Sequence, residues 1–279
     1  MNKISEFSKW LVISDIDGTL IDRLHRLPVR NIEAIADFVK KGGNFTLASS
    51  RGVESLFRHY KDLPLNNIPA VILNGAGIYD FGKKEMVYFN AMSRRVVDEI
   101  CKIPKKFPTI DIVIITKDNA YVVFPAWWGL NYTLIDKIKH KISFNINSIP
   151  KEDWGKIVFS GAPWRVKRLQ KYLNGIENPE FITCRASIFA IELMAQGSEK
   201  GTTALKLADM LGIDRSKTAG IGDFFNDFNL LRSVAVPAAC GQAPKALKEI
   251  AEFVACRCKE GAVADFLEYL INEKILENN

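Results

Sequence analysis

Asp15-Ile16-Asp17-Gly18-Thr19-Leu20 closes an apolar run, Trp10 to Ser14, close to the start of the chain. Two carboxylates two residues apart at the end of a buried strand can divide a phosphoryl transfer between them. One attacks phosphorus, the other manages a proton, and a hard divalent cation can be held beside both. The glycine after them lets the chain turn sharply. Asp-Gly turns after strands also occur for purely structural reasons, so the meaning of this stretch depends on what accompanies it.

Three further clusters accompany it. Leu47-Ala48-Ser49-Ser50-Arg51 ends a second apolar run, and Glu199-Lys200-Gly201-Thr202 opens a helical pattern. Ile221-Gly222-Asp223-Phe224-Phe225-Asn226-Asp227 follows a third strand-like run. As an ordered set of four, these motifs resemble the haloacid dehalogenase-like (HAD) hydrolases, and most closely their Cof-type branch of sugar-phosphate phosphatases. The resemblance runs from about Leu11 almost to the C-terminus.

That resemblance implies a role for each matching residue. Asp15 would be the nucleophile, forming an aspartyl phosphate, and Asp17 the general acid and then the base for the attacking water. Mg2+ would be held by the Asp15 side chain, the Asp17 main-chain carbonyl and the Asp223 side chain. The backbone N–H of Ile16 would cradle phosphate, Ser49 would bind a phosphate oxygen, and Lys200 would supply a fixed positive charge. Asn226 would contact phosphate or orient the site, and Asp227 would hold Lys200 or brace the groups around the metal. Asn74-Gly75 matches a substrate-proximal Asn-Gly. Ser50 is counted with the phosphate-binding loop; it stands where the family usually has glycine and puts a side chain where backbone would approach the ligand.

The elements that must position these groups follow from periodicity. Trp10 to Ser14, Phe45 to Ala48 and Ala70 to Leu73 read as short buried strands, alternating with helices after Pro28 and at Val53 to Tyr60. Such alternation predicts an α/β, doubly wound, parallel-sheet (Rossmann-like) core, with the ligand site beyond the carboxyl ends of the strands. Asp15, Ser49 and Asn74 each stand just past one of those ends. The rhythm changes near Tyr79, where strands joined by short turns, as at Lys117-Asp118-Asn119, predict an inserted α+β cap domain. We place the cap at residues 84–186 and the catalytic core at 1–83 and 187–279. Within the insert, strands are expected at Ile112 to Thr116 and Tyr121 to Phe124, and a helix around Leu134 to Lys141. The insert also carries Trp127, Trp128, Trp154 and Trp164, most of them expected in its core; Trp127 and Trp128 cannot both point inward if extended.

Composition narrows the setting. Hydrophobic residues make up 48% of the 279-residue chain and charged ones 25%, which excludes wholesale disorder. No apolar stretch reaches spanning length and the opening segment has no apolar leader core, so a cytoplasmic protein without membrane attachment is expected. Five scattered cysteines with no nearby histidine form no zinc pattern and are expected to be free thiols. The net charge of +6 comes from basic residues interleaved with acids, which speaks for solvated helix faces and against a nucleic-acid footprint. A mild positive field suits a small phosphorylated substrate. A monomer or weak homo-oligomer is expected.

The leading expectation is a Mg2+-dependent phosphatase for a small phosphate monoester, a sugar or polyol phosphate. Two alternatives remain open at this point: a phosphomutase of the same superfamily, and a non-catalytic sugar-phosphate sensor that would have no need of both acids.

Overall fold

The computed structural model describes residues 6–22, 24–123, 127–135, 138–177 and 179–276. By contact density the chain divides into two compact units, Met1–Val87 with Glu199–Asn279, and Tyr88–Ser198. Phe124, expected to end a strand, and the opening segment Met1 to Ser5 lie outside the described residues.

In the first unit all four residues of β1 (Leu11–Ser14) are buried, as befits a strand covered on both faces. Helix α1 (Val29–Lys40) follows Pro28 and buries Asn31, Ile35 and Phe38 on one side. Asn31 is polar yet fully buried because its amide is used twice. Its Nδ2 donates to the Leu20 carbonyl (3.1 Å) and its Oδ1 accepts from the Ala264 N–H (2.9 Å). The loop that carries Asp15 and Asp17 is thereby tied to the helix that begins at Ala262. Next come β2 (Asn44–Leu47), α2 (Val53–Tyr60), β3 (Ala70–Ile72), β4 (Gly77–Asp80) and β5 (Glu85–Phe89).

The second unit is built on a separate sheet. Its strands are β6 (Asp111–Thr116), β7 (Ala120–Val123), β8 (Lys141–Ser143), β9 (Trp154–Ser160), β10 (Phe181–Ser187) and β11 (Ala190–Ala195). They lie in the order β10-β11-β9-β6-β7-β8, antiparallel except for the parallel pair β7–β8. Three helices of more than one turn accompany them among the described residues: α3 (Arg94–Ile100), α4 (Trp127–Ile135) and α5 (Pro163–Asn174). Alternate strand residues, Ile112, Ile114, Ile157, Phe159, Ile191 and Leu193, share one hydrophobic core with the apolar sides of α3 and α5.

The chain then returns to the first unit through α6 (Lys200–Met210), β12 (Thr218–Gly222), α7 (Phe228–Ser233), β13 (Val236–Ala239), β14 (Phe253–Val254) and α8 (Ala262–Leu270). The core sheet has the order β14-β13-β12-β1-β2, and every neighbouring pair is parallel. The fold is thus α/β with a Rossmann-like parallel core and a separate mixed sheet forming a cap domain. No described helix is long and apolar enough to cross a membrane.

Three local expectations are corrected. The strand at Ala70 does not extend the core sheet as a full member: β3 pairs antiparallel with β4 in a three-stranded sheet and meets the core only by a parallel bridge, Val71 to Ala48. The helix expected around Leu134 to Lys141 is described earlier, as α4, which carries Trp127 and Trp128; Asp136 and Lys137 lie outside the described residues, and Lys141 begins β8. The start of α4 is held by the Asp111 carboxylate, whose Oδ2 accepts from the backbone N–H of Trp128 (2.6 Å) and Gly129 (3.2 Å). Of the insert's four tryptophans only Trp154 is fully buried, with its Nε1 donating to the Pro150 carbonyl. Trp164 is exposed because α5 turns Val166, Leu169 and Leu173 inward instead, and Trp128 stacks on Phe189 at 5.2 Å near the surface.

Candidate active site

The site gathers at the carboxyl ends of the parallel strands, where β1, β2 and β12 each run out into a loop. Asp15 is the first residue beyond β1 and is almost entirely buried. Its backbone is fixed from both sides: its N–H donates to the Ile221 carbonyl on β12 (3.0 Å), and the Ser14 hydroxyl donates to its carbonyl (2.6 Å). The next residue, Ile16, is fully buried, and its carbonyl accepts from the N–H groups of Thr19, Leu20 and Ile21, so the Asp15–Leu20 loop closes on itself. Thr19 is fully buried beside Cys240.

Lys200, the first residue of α6, sends a fully buried ammonium into this loop. Its Nζ lies 2.5 Å from Asp15 Oδ1 and 2.6 Å from Asp227 Oδ1. Asp227 is also fully buried, and its second oxygen accepts from the N–H groups of Asp223 (3.0 Å) and Phe224 (3.2 Å). Asp227 therefore orients both the lysine and the turn after β12 that carries Asp223. Asn226, one residue before Asp227, lies half-buried in that turn. The carboxylates of Asp15, Asp223 and Asp227 lie within 4.8 Å of one another.

Gly18 shows how closely Asp223 approaches the first loop. Its φ is +90°, a left-handed conformation that favours glycine, and a Cβ there would lie 2.3 Å from Asp223 Oδ2. The Gly18 carbonyl accepts from Gln242 Nε2 (2.5 Å), and Gln242 Oε1 accepts in turn from the Cys258 N–H (3.0 Å).

The serine loop approaches from the other side. Ser49 is buried beyond β2; its N–H donates to the Val71 carbonyl, its own carbonyl accepts from the Asn74 N–H (2.9 Å), and its hydroxyl accepts from the Arg51 N–H. Ser50 stands half-buried between them. Asn74 is buried in a left-handed conformation, φ 57°, and the following Gly75 carbonyl accepts from Thr203 on α6 (2.7 Å). The structure therefore brings Ser49, Asn74 and the lysine-bearing helix into one bonded assembly.

The electrostatics separate two acids of different character. Burial first, and then the neighbouring Asp227 and Asp223 carboxylates, push Asp15 up to about 8, with Lys200 pulling the other way. Burial opposes the charge on Lys200, but Asp15 and Asp227 outweigh it and raise its pKa. Three carboxyl groups around one ammonium make a cluster rich in oxygen donors. That donor set fits a hard divalent cation, and the cluster is typical of the Mg2+ site of HAD hydrolases. Asp17 differs: partial burial pushes it up, but the hydrogen bonds and charge of Arg51, followed by His59 and His25, outweigh this and leave it lowered.

Arg51 is the contact that the motifs alone did not single out. Its Nε and Nη2 engage Asp17 Oδ2 (2.8 Å) and Oδ1 (2.7 Å), a bidentate fork on the carboxylate, while Nη1 donates to Ser55 (2.7 Å). The available signal was its position: an arginine two residues after Ser49, beyond the strand next to β1, opens at the same mouth.

A family model described as haloacid dehalogenase-like hydrolase matches residues 12–267. The chain is 28% identical over 286 residues to an uncharacterized hydrolase of Schizosaccharomyces pombe, covering 94% of this chain and 90% of that one. It is 23% identical to the 5-amino-6-(5-phospho-D-ribitylamino)uracil phosphatase of Bacillus subtilis, covering 94% and 98%. Among solved structures, a haloacid dehalogenase-like hydrolase from Bacteroides thetaiotaomicron superposes with a TM-score of 0.83 at 20% identity, over 94% of this chain and 99% of that one. With the aspartate cluster at the ends of a Rossmann-like sheet, these likenesses support a phosphoric-monoester hydrolase, and the chain belongs to the haloacid dehalogenase-like hydrolases, in keeping with the Cof-type branch that its motifs resemble.

Proposed function

We propose that the protein hydrolyses a small phosphate monoester, a sugar or polyol phosphate, through an aspartyl phosphate on Asp15. The observation that carries this reading is the buried constellation of Lys200 between Asp15 and Asp227, with Asp223 close by. A purely structural lysine opening a helix would point to water; this one is spent on a carboxylate at the mouth of the sheet. The ribityl phosphate in the name of the Bacillus relative supports the polyol-phosphate class.

In this mechanism Asp15 attacks phosphorus, the ester oxygen leaves with a proton from Asp17, and Asp17 then takes a proton from the water that cleaves the aspartyl phosphate. Lys200 keeps Asp15 oriented and offsets charge on the transferring phosphoryl group. Asp227 holds Lys200 and the Asp223 turn; Ser49, Ser50, Asn226, Asn74 and the Ile16 N–H complete the phosphate and substrate contacts. Mg2+ would be held by Asp15, Asp223 and the Asp17 carbonyl, and when bound it supplies positive charge that lets a carboxylate approach a phosphate dianion. The second unit serves as the cap that selects among esters.

The test is release of orthophosphate from a panel of sugar and polyol phosphates, with Mg2+ and no bisphosphate activator. Release that disappears in Asp15→Asn supports the proposal. Turnover only with a bisphosphate activator would favour a mutase, and tight sugar-phosphate binding with no release from any ester would favour a sensor.

A further inference from the structure

The turn after β12 carries more than its two aspartates and Asn226. It also holds Phe224 and Phe225, consecutive phenyl rings that stand 48% and 57% exposed. Their ring contact among the described residues is with each other, centroid to centroid at 5.1 Å with an interplanar angle of 67°. The backbone beneath them is fixed. Asp227 Oδ2 accepts from the Phe224 N–H (3.2 Å), and the Asp227 N–H donates to the Phe224 carbonyl (2.9 Å). A Cβ on Gly222 would lie 2.4 Å from Asp227 Cβ, so the turn is also tightly closed. Phe225 opens a single turn of 3-10 helix that ends at Asp227. Exposed rings add little to the stability of such a turn, where polar side chains would be solvated instead. Lone exposed apolar residues are ordinary; two in contact, next to a carboxylate of the aspartate cluster, call for a partner.

Their place in the chain says what that partner is. Asp223 and Asn226 flank the pair in sequence, and Asp223 lies in one cluster with Asp15. Two residues of chain span at most about 7 Å, so an ester whose phosphate lies beside Asp223 has its alcohol within reach of both rings. Rings set at so steep an angle form a notch. A flat ring that stacks on one of them turns its edge toward the other, and these are the two arrangements that aromatic pairs favour. An open chain of the same size covers the notch only by giving up its rotational freedom.

We infer that Phe224 and Phe225 are specificity-determining residues, a stacking platform on the catalytic unit for a flat ring in the alcohol of the ester. The ring is the sugar ring of a hexose phosphate or an aromatic ring, since both present a flat apolar face to the notch. This rests on the phosphatase reading and narrows it, favouring ring-bearing alcohols over open-chain polyols. Neither phenyl takes part in the chemistry. Their contribution goes to binding and orienting the alcohol, so it enters kcat/KM for ring esters and leaves open-chain esters nearly untouched.

The experiment compares kcat/KM for glucose 6-phosphate with sorbitol 6-phosphate, and for benzyl phosphate with heptyl phosphate, in the full chain with Mg2+. Each pair matches carbon number and sets a ring against an open chain; the first tests a sugar ring, the second an aromatic one. The ring member of at least one pair should be favoured about tenfold. In Phe224→Ser/Phe225→Ser that preference should fall to about twofold or less, with kcat/KM for the open-chain members within about threefold of wild type. Phe224→Tyr/Phe225→Tyr keeps both rings and should keep the preference, which separates lost stacking from a disturbed turn. A wild-type ratio near one in both pairs, a preference that survives the double serine variant, or an equal loss for ring and chain overturns the inference. In each of those cases Asp15-dependent release from the open-chain members leaves the phosphatase reading standing. Calorimetry on Asp15→Asn with Mg2+ gives a readout besides turnover. It should bind the ring member of at least one pair more tightly and lose that difference when both phenyls become serine; equal affinities overturn the platform.

Discussion

Replacing Gly18 by alanine should damage the site in a manner that strain alone cannot reproduce. At φ +90° an alanine costs about 1–2 kcal/mol through its backbone conformation. The added Cβ would also stand 2.3 Å from Asp223 Oδ2, where ordinary contact begins at 3.4 Å, so the carboxylate must retreat by about 1.1 Å. A displacement of about 1 Å in a reacting constellation lowers rates on the order of a hundredfold. Gly212 provides the control: its φ is +68°, yet a Cβ there meets nothing within 4 Å. Gly212→Ala should therefore lose similar stability in urea denaturation while keeping its activity. Gly18→Ala should lose about a hundredfold in kcat/KM and need more Mg2+ for half-maximal phosphate release. Comparable kcat/KM and Mg2+ dependence in the two variants would refute the reasoning, because the close approach of Asp223 to the first loop would then have no consequence.

Lys200→Met leaves the buried Asp227 carboxylate and the Asp15 carboxyl without the ammonium they share; it should abolish turnover and cost about 3–5 kcal/mol of stability, and a urea midpoint equal to wild type at neutral pH would show these contacts to be dispensable. In EDTA, Asp15 is pushed up to about 8, above its unfolded value of 3.8, so the native chain keeps a proton that the unfolded chain has lost. The stability from that proton is complete below 3.8 and is lost as pH rises toward about 8, so the melting temperature should fall from about pH 5 to about pH 8; a flat or rising profile would contradict this. Trp154→Ala, which empties a buried site, should cost about 3–5 kcal/mol, while Trp164→Ala on the exposed side of its helix should stay within about 0.5 kcal/mol in the same denaturation assay.

Much of the core was legible because its elements are short, apolar and cleanly bounded. The helix at Val53–Tyr60 coincides with its periodic run, and the motif loops fall where the apolar strand runs end. The insert was less legible for physical reasons. The helix expected around Leu134 already includes Trp127 because the distant Asp111 accepts from the N–H groups of Trp128 and Gly129 near its start, a tertiary contact that local pattern does not contain. β3 looked like a core strand because its residues are equally apolar, whereas the turn at Leu73-Asn74-Gly75, with three successive positive φ angles, folds the chain straight back into β4. At the site, the convergence of Asp15, Lys200, Asp223 and Asp227 follows from strand order. The Arg51–Asp17 fork does not, since it depends on side-chain reach between neighbouring loops.

The most direct measurement is acid-quenched peptide mass spectrometry during turnover of the best ester. A single hydroxylamine-labile phosphoryl group should appear on the peptide containing Asp15, and should be missing from Asp15→Asn together with phosphate release. Rapid release with no phosphoryl group on Asp15, or release that persists in Asp15→Asn, would contradict the account at its centre.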